Sequence, residues 1–115
     1  MKRLIAIAAF LCLSSPGAAF ADTMQNAVGN TLVVTTASGA VVRYRFNAAG
    51  SYAATLPDGS AGSGAWEVAD GQICLTPAGG ARGCTGYVAD KNVGDTWTQA
   101  GVDGGQITVA IQAGQ

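Results

Sequence analysis

A chain of 115 residues with no histidine has room for one small domain and lacks the side chain that most general acid–base and nucleophilic mechanisms rely on near neutral pH. Ser-His-Asp and Cys-His catalysis are excluded in their usual form. Only 11% of the residues are charged and the formal net charge is −1, so there is no positive field of the kind that nucleic acid or an anionic lipid surface attracts.

The amino terminus reads as an export signal. Lys2 and Arg3 form a positive start, Leu4 to Leu13 an apolar run, and Ala19-Phe20-Ala21 a small-x-small cleavage site. The run is shorter than the about 20 residues that span a bilayer. Cys12 lies inside it, and Leu11 stands where a lipoprotein signal has a small residue, so no lipid anchor is expected. Residues 1–21 are therefore predicted to be a cleaved signal peptide and 22–115 a single all-β domain, periplasmic or secreted. Loss of Lys2 and Arg3 leaves four bases (Arg43, Arg45, Arg82, Lys91) against seven acids, a net charge of −3.

Export makes the two remaining cysteines informative. Cys74 and Cys84 should pair in an oxidising compartment. Metal binding is the competing reading, but two thiolates with no histidine and no further cysteine do not close a zinc site. The spacing is also not that of a C-x-x-C redox motif. The expectation is one structural disulfide, with no metal and no cofactor.

After a polar lead, Asp22 to Asn30, short β-rich runs alternate with Gly-, Asp- and Asn-containing turns. The first run is Thr31 to Thr36. Val41 to Phe46 follows with strict period-two alternation, placing Val42, Tyr44 and Phe46 on one face and both arginines on the other. Ser51 to Leu56 puts Tyr52, Ala54 and Leu56 together, and Pro57-Asp58-Gly59 turns the chain. The fourth run, about Ser63 to Val68, carries Trp66 and Val68 inward, with Gly62 and Gly64 marking a bend or bulge. Asp70-Gly71 predicts a tight hairpin into Gln72 to Leu75. That fifth run turns Ile73 and Leu75 inward and Cys74 outward.

A small-residue loop leads to Cys84 to Val88. If Cys84 meets Cys74 on the outer face, Thr85 and Tyr87 point inward. Thr96 to Gln99 directs Trp97 inward, and Gln106 to Ile111 closes the chain with Ile107, Val109 and Ile111 on one face. The inward set also takes in Leu32 and Val34 of the first run. Eight short strands at near-ten-residue spacing indicate an antiparallel meander. Closing it into an up-and-down barrel removes two unpaired edges, and a two-sheet sandwich is the alternative. Four or five inward aromatics are expected to fill most of the barrel, which favours a packed core over a roomy ligand cavity.

Candidate binding residues are few. Arg43 and Arg45 stand two apart on an outward face, a spacing suited to clamping a carboxylate or equally to a solvated strand face. Tyr44, Tyr52 and Tyr87 carry hydroxyls inward, each of which needs a partner at the rim, on the backbone or on a ligand. Three of the seven acids, Asp58, Asp70 and Asp103, precede glycine and read as turn residues.

The pattern Tyr44-x-Phe46, Gly50-x-Tyr52, Gly64-x-Trp66 and Gly71-x-x-Cys74 with Cys84 resembles small exported bacterial proteins of uncharacterised function. The stretch from Trp66 to Cys84 is also similar to the periplasmic protease-inhibitor barrels, which carry one disulfide. The amino-terminal reactive segment of those inhibitors has no match in Asp22 to Asn30, so the resemblance transfers no site residue. The expected function is that of a non-catalytic exported barrel that binds another protein, as an inhibitor or envelope accessory factor. The alternative is a binder of a small ligand at the barrel mouth.

Overall fold

The structure is a computed structural model and describes residues Asp22–Gln115; the predicted signal peptide lies outside the described residues. One short helix, α1 (Asp22–Ala27), precedes eight strands: β1 (Thr31–Thr36), β2 (Val41–Phe46), β3 (Ser51–Thr55), β4 (Ala61–Ala69), β5 (Gln72–Pro77), β6 (Gly83–Gly86), β7 (Thr96–Ala100) and β8 (Gln106–Gln112). No helix among these residues is long and apolar enough to cross a membrane.

Every strand pairs antiparallel, in the sheet order β6-β5-β4-β3-β2-β1-β8-β7. All pairings join neighbours in sequence except β1 with β8, where Leu32 meets Ile111 and Val34 meets Val109. That pairing rolls the meander into a nearly closed barrel. The remaining gap, between β6 and β7, is bridged by side chains. Thr85 Oγ1 donates to the Ala100 carbonyl at 2.5 Å, and Gln99 Nε2 to the Gly86 carbonyl at 2.9 Å.

The turns follow from their residues. Four connections (36–40, 47–51, 56–60 and 101–105) share one hydrogen-bond pattern. The first residue's amide donates to the fifth residue's carbonyl, and the fourth residue's amide to the first residue's carbonyl. In each the fourth residue is a glycine at positive φ, the three-residue loop in which a type I turn ends in a left-handed residue. Asp58 shows the accompanying side-chain chemistry: its Oδ1 accepts from the Ser60 amide at 2.9 Å and from the Ser60 hydroxyl at 2.6 Å. These bonds lower its pKa below the ordinary carboxylate value. Asp70-Gly71 is the tighter case, with φ of 55° and 75°, the doubly left-handed turn that Asp-Gly favours.

The disulfide joins directly opposed residues of β5 and β6, with the Cα atoms 4.0 Å apart. Closing a loop of this size stabilises a fold by roughly 2–3 kcal/mol in the chain-entropy model. Cys74 faces outward, as its neighbours Ile73 and Leu75 face in, yet it is only 3% exposed. Glu67 sits opposite it on β4, and the 2.7 Å ion pair from Glu67 to Arg82 runs over this part of the wall. Both charged side chains are more than half exposed, so the pair adds little energy.

Inside, Tyr44, Phe46, Tyr52 and Trp66 form one aromatic group with ring centroids 5.6 to 5.9 Å apart. Gly64 admits it: a Cβ there would lie 2.7 Å from the Tyr52 hydroxyl and collide with the Thr76 carbonyl. Two residues of the expected inward set are exposed instead. Leu56, at 39%, lies in the turn beyond the end of β3. Val68, at 41%, belongs to the end of β4, which pairs with β5 alone because β3 stops at Ser51 opposite Ala65. The helix was not expected. Six residues are too few to hold a helix by propensity, and α1 forms by burying Met24 and the fully buried Ala27 in the core.

Gly64→Ala is expected to cost at least about 1–3 kcal/mol, the scale of overpacking. Gly86→Ala, where an added Cβ meets nothing within 4 Å, should leave stability within about 0.5 kcal/mol. Urea denaturation of the two variants measures both.

Candidate functional site

The aromatic group occupies one part of the barrel, and a cavity of about 210 Å³ remains beside it. The interior is thus only partly filled, in contrast to the packed core expected from the aromatic count. Four large rings gather on neighbouring strands β2, β3 and β4, Trp97 and Tyr87 add two more to the lining, and β1, β5 and β8 contribute branched side chains. Leu32, Val34, Ile73, Leu75, Ile107 and Val109 form most of this wall.

One end of the cavity is shut by α1. The Met24 amide donates to the Tyr87 hydroxyl at 3.0 Å, and Thr23 Oγ1 donates to the Val88 carbonyl at 2.7 Å. Asn26 Nδ2 adds a bond to the Lys91 carbonyl at 2.8 Å. The long connection from Tyr87 to Asp95 is thereby fastened over the barrel end. At the other end the lining residues Thr36, Gly101, Val102 and Asp103 form the mouth. Val102 there is largely exposed.

Few polar groups reach the cavity, and most are already engaged. Gln99 Oε1 accepts from Trp97 Nε1 at 2.7 Å while its amide nitrogen crosses the gap to β6. Thr85 is spent on Ala100. Asp103 Oδ1 accepts from the Gly105 amide at 2.9 Å. The Tyr44 hydroxyl has no hydrogen-bond partner among the described residues. Burial, and then the neighbouring Tyr52 phenol, push the Tyr44 pKa above its ordinary value; burial alone raises that of Tyr52. Among the described residues no lysine or arginine lines the cavity.

The residues singled out in the sequence divide between two surfaces. Tyr44 and Tyr87 line the cavity, and Tyr52 packs behind them against Phe46. Arg43 and Arg45 lie on the outer wall, where their guanidinium groups diverge. Arg43 crosses β1 to Gln112 Oε1 at 3.1 Å, its stem over Val33, and Arg45 turns the other way to Thr55 Oγ1 at 3.1 Å. Cys74 and Cys84 are also on that wall. Sequence reasoning did not single out Met24, Thr85 or Gln99 as site residues. Gln99 shares its parity with inward Trp97, which was the available signal; nothing in the polar lead marked Met24.

Outside the barrel, a shallow apolar groove runs between α1 and the overhanging end of β4, with Val28, Ala48, Trp66 and Val68 on its walls. Fold and cavity together define an eight-stranded antiparallel barrel with an apolar interior open at one end. Neither a family model, nor a curated protein, nor a solved structure matches the chain.

The buried phenols give the fold an alkaline limit. Because their pKa values are raised in the folded state, their contribution is complete below the unfolded value of about 10 and is lost as the pH rises through the folded values. Stability is expected to fall above about pH 10, and Tyr44→Phe should shallow that fall. Thermal melts across the alkaline range measure it.

Proposed function

We propose that this protein is a non-catalytic, exported carrier or binder that holds one small apolar molecule inside its barrel. The observation that supports the reading is the cavity of about 210 Å³ with its apolar wall. A dry apolar cavity of about 150 Å³ admits benzene, so this one suits a ligand on the order of ten non-hydrogen atoms. Burial of such a molecule against branched side chains supplies the affinity, and the mouth supplies access. The disulfide and the export signal in the sequence agree with a periplasmic or secreted location.

Saturating propylbenzene is expected to raise the melting temperature of the protein by mass action. Val34→Phe, which fills the cavity from β1, should abolish that rise while the variant still melts cooperatively. An unchanged melting temperature in the native protein would sink the reading.

A second reading, the docking of another protein, has the groove beside α1 as its supporting observation, where Val68 is 41% exposed. On that reading Val68→Asp should weaken capture of a partner from envelope extract at least tenfold without affecting propylbenzene binding. Equal capture by native protein and variant counts against the groove.

A further inference from the structure

We infer that the ligand of the barrel is a neutral molecule carrying a hydrogen-bond acceptor, such as a ketone, ester or ether, rather than a fatty acid or an amine. The inference rests on the cavity reading above and specifies the chemistry the cavity selects. Two observations carry it, one of charge and one of hydrogen bonding.

The lining offers no cation. Lys91 lies over the Trp97 ring at 5.5 Å from its centroid and is not part of the lining, and Arg43 and Arg45, which flank Tyr44, lie on the outer wall. A carboxylate or phosphate drawn into the barrel would lose its water and gain no opposite charge, and a buried charge without a partner is strongly disfavoured. The one ionised group at the mouth is Asp103, which repels an anion further. An ammonium fares little better, because Asp103 is an exposed turn residue whose Oδ1 is held by the Gly105 amide, and the wall beyond it is aliphatic.

The lining does offer donors. The Tyr44 hydroxyl, on the cavity wall, has no partner among the described residues. The Tyr87 hydroxyl accepts from the Met24 amide at 3.0 Å, and its own proton has no acceptor among the described residues. Phenols in apolar surroundings normally find a partner. Thr85 gives its proton to the Ala100 carbonyl, and Gln99 spans Trp97 Nε1 and the Gly86 carbonyl. The Tyr44 and Tyr87 phenol protons are thus without an acceptor among the described residues, and the ligand complementary to them brings a lone pair and no charge.

Four molecules with a common phenylpropyl outline separate the possibilities: propylbenzene, propiophenone, hydrocinnamate and phenylpropylamine, each titrated into the protein by calorimetry with Trp97 fluorescence as a second readout. Propiophenone should bind about fivefold tighter than propylbenzene, the factor one net hydrogen bond gives. Hydrocinnamate and phenylpropylamine should bind at least about tenfold more weakly than propiophenone. Tyr44→Phe should remove the ketone's advantage, bringing the affinities for propiophenone and propylbenzene together. Hydrocinnamate or phenylpropylamine binding as tightly as the ketone would overturn the inference, as would a Tyr44→Phe variant that weakens ketone and hydrocarbon by the same factor. If that variant does not fold, the order of affinities in the native protein decides alone. Equal binding of ketone and hydrocarbon removes this inference and leaves the cavity reading standing, whereas binding of none of the four removes both.

Discussion

The barrel depends on how its last gap is closed. β6 and β7 are the shortest stretches at the ends of the sheet order, four and five residues long, and they share no backbone ladder. Two side chains, Thr85 and Gln99, reach carbonyls on the facing strand instead. An open sheet of eight strands would expose both edges and one apolar face, so the interior exists because these contacts and the β1–β8 pairing hold the ring together. The disulfide acts on the same problem from the other side. It ties β6 to β5, and β6 begins and ends in glycine, so an edge strand with little of its own to pack is fixed in register by a covalent bond.

The position of the cavity follows from where the large side chains fall. Tyr44, Phe46, Tyr52 and Trp66 come from three adjacent strands, and Gly64 leaves room for the Tyr52 ring to lie against β4. Packing is therefore dense on one side of the axis. Elsewhere the lining is mostly valine, leucine and isoleucine, with Tyr87 and Trp97 among them. A barrel of this size sits at the boundary between a filled interior and one that holds a single small molecule, and the placement of the rings leaves this one partly empty. The polar groups follow the same division: those at the gap are spent on structure, and the Tyr44 phenol on the wall is not.

Period-two alternation made most of the wall readable in advance. Thr31–Thr36 and Val41–Phe46 are strands with the boundaries the sequence suggests, and the outward cysteine pair correctly turns Thr85 and Tyr87 inward. The two misplaced residues failed for local reasons that a single strand cannot reveal. Leu56 lies one step past its strand, and Val68 has a neighbour on one side only. The helix was hidden because its stability lies in Met24 and Ala27 meeting the barrel end, a long-range contact. The cavity was hidden because its volume depends on which strands face each other across the ring, whereas an aromatic count treats all inward positions as equivalent.

The exceptional pairing of β1 with β8 also bears on how the chain reaches this state. Every other ladder joins strands that are adjacent in sequence and can form as local hairpins, whereas Leu32 must find Ile111 across nearly the whole described chain. Loop-closure entropy makes that encounter the expected late event of folding. Before it, the chain is a curled ribbon of hairpins with its apolar face open to water. The cavity would thus be the last part of the molecule to come into being, and the apolar surface that lines it is the surface most exposed to misassembly until then.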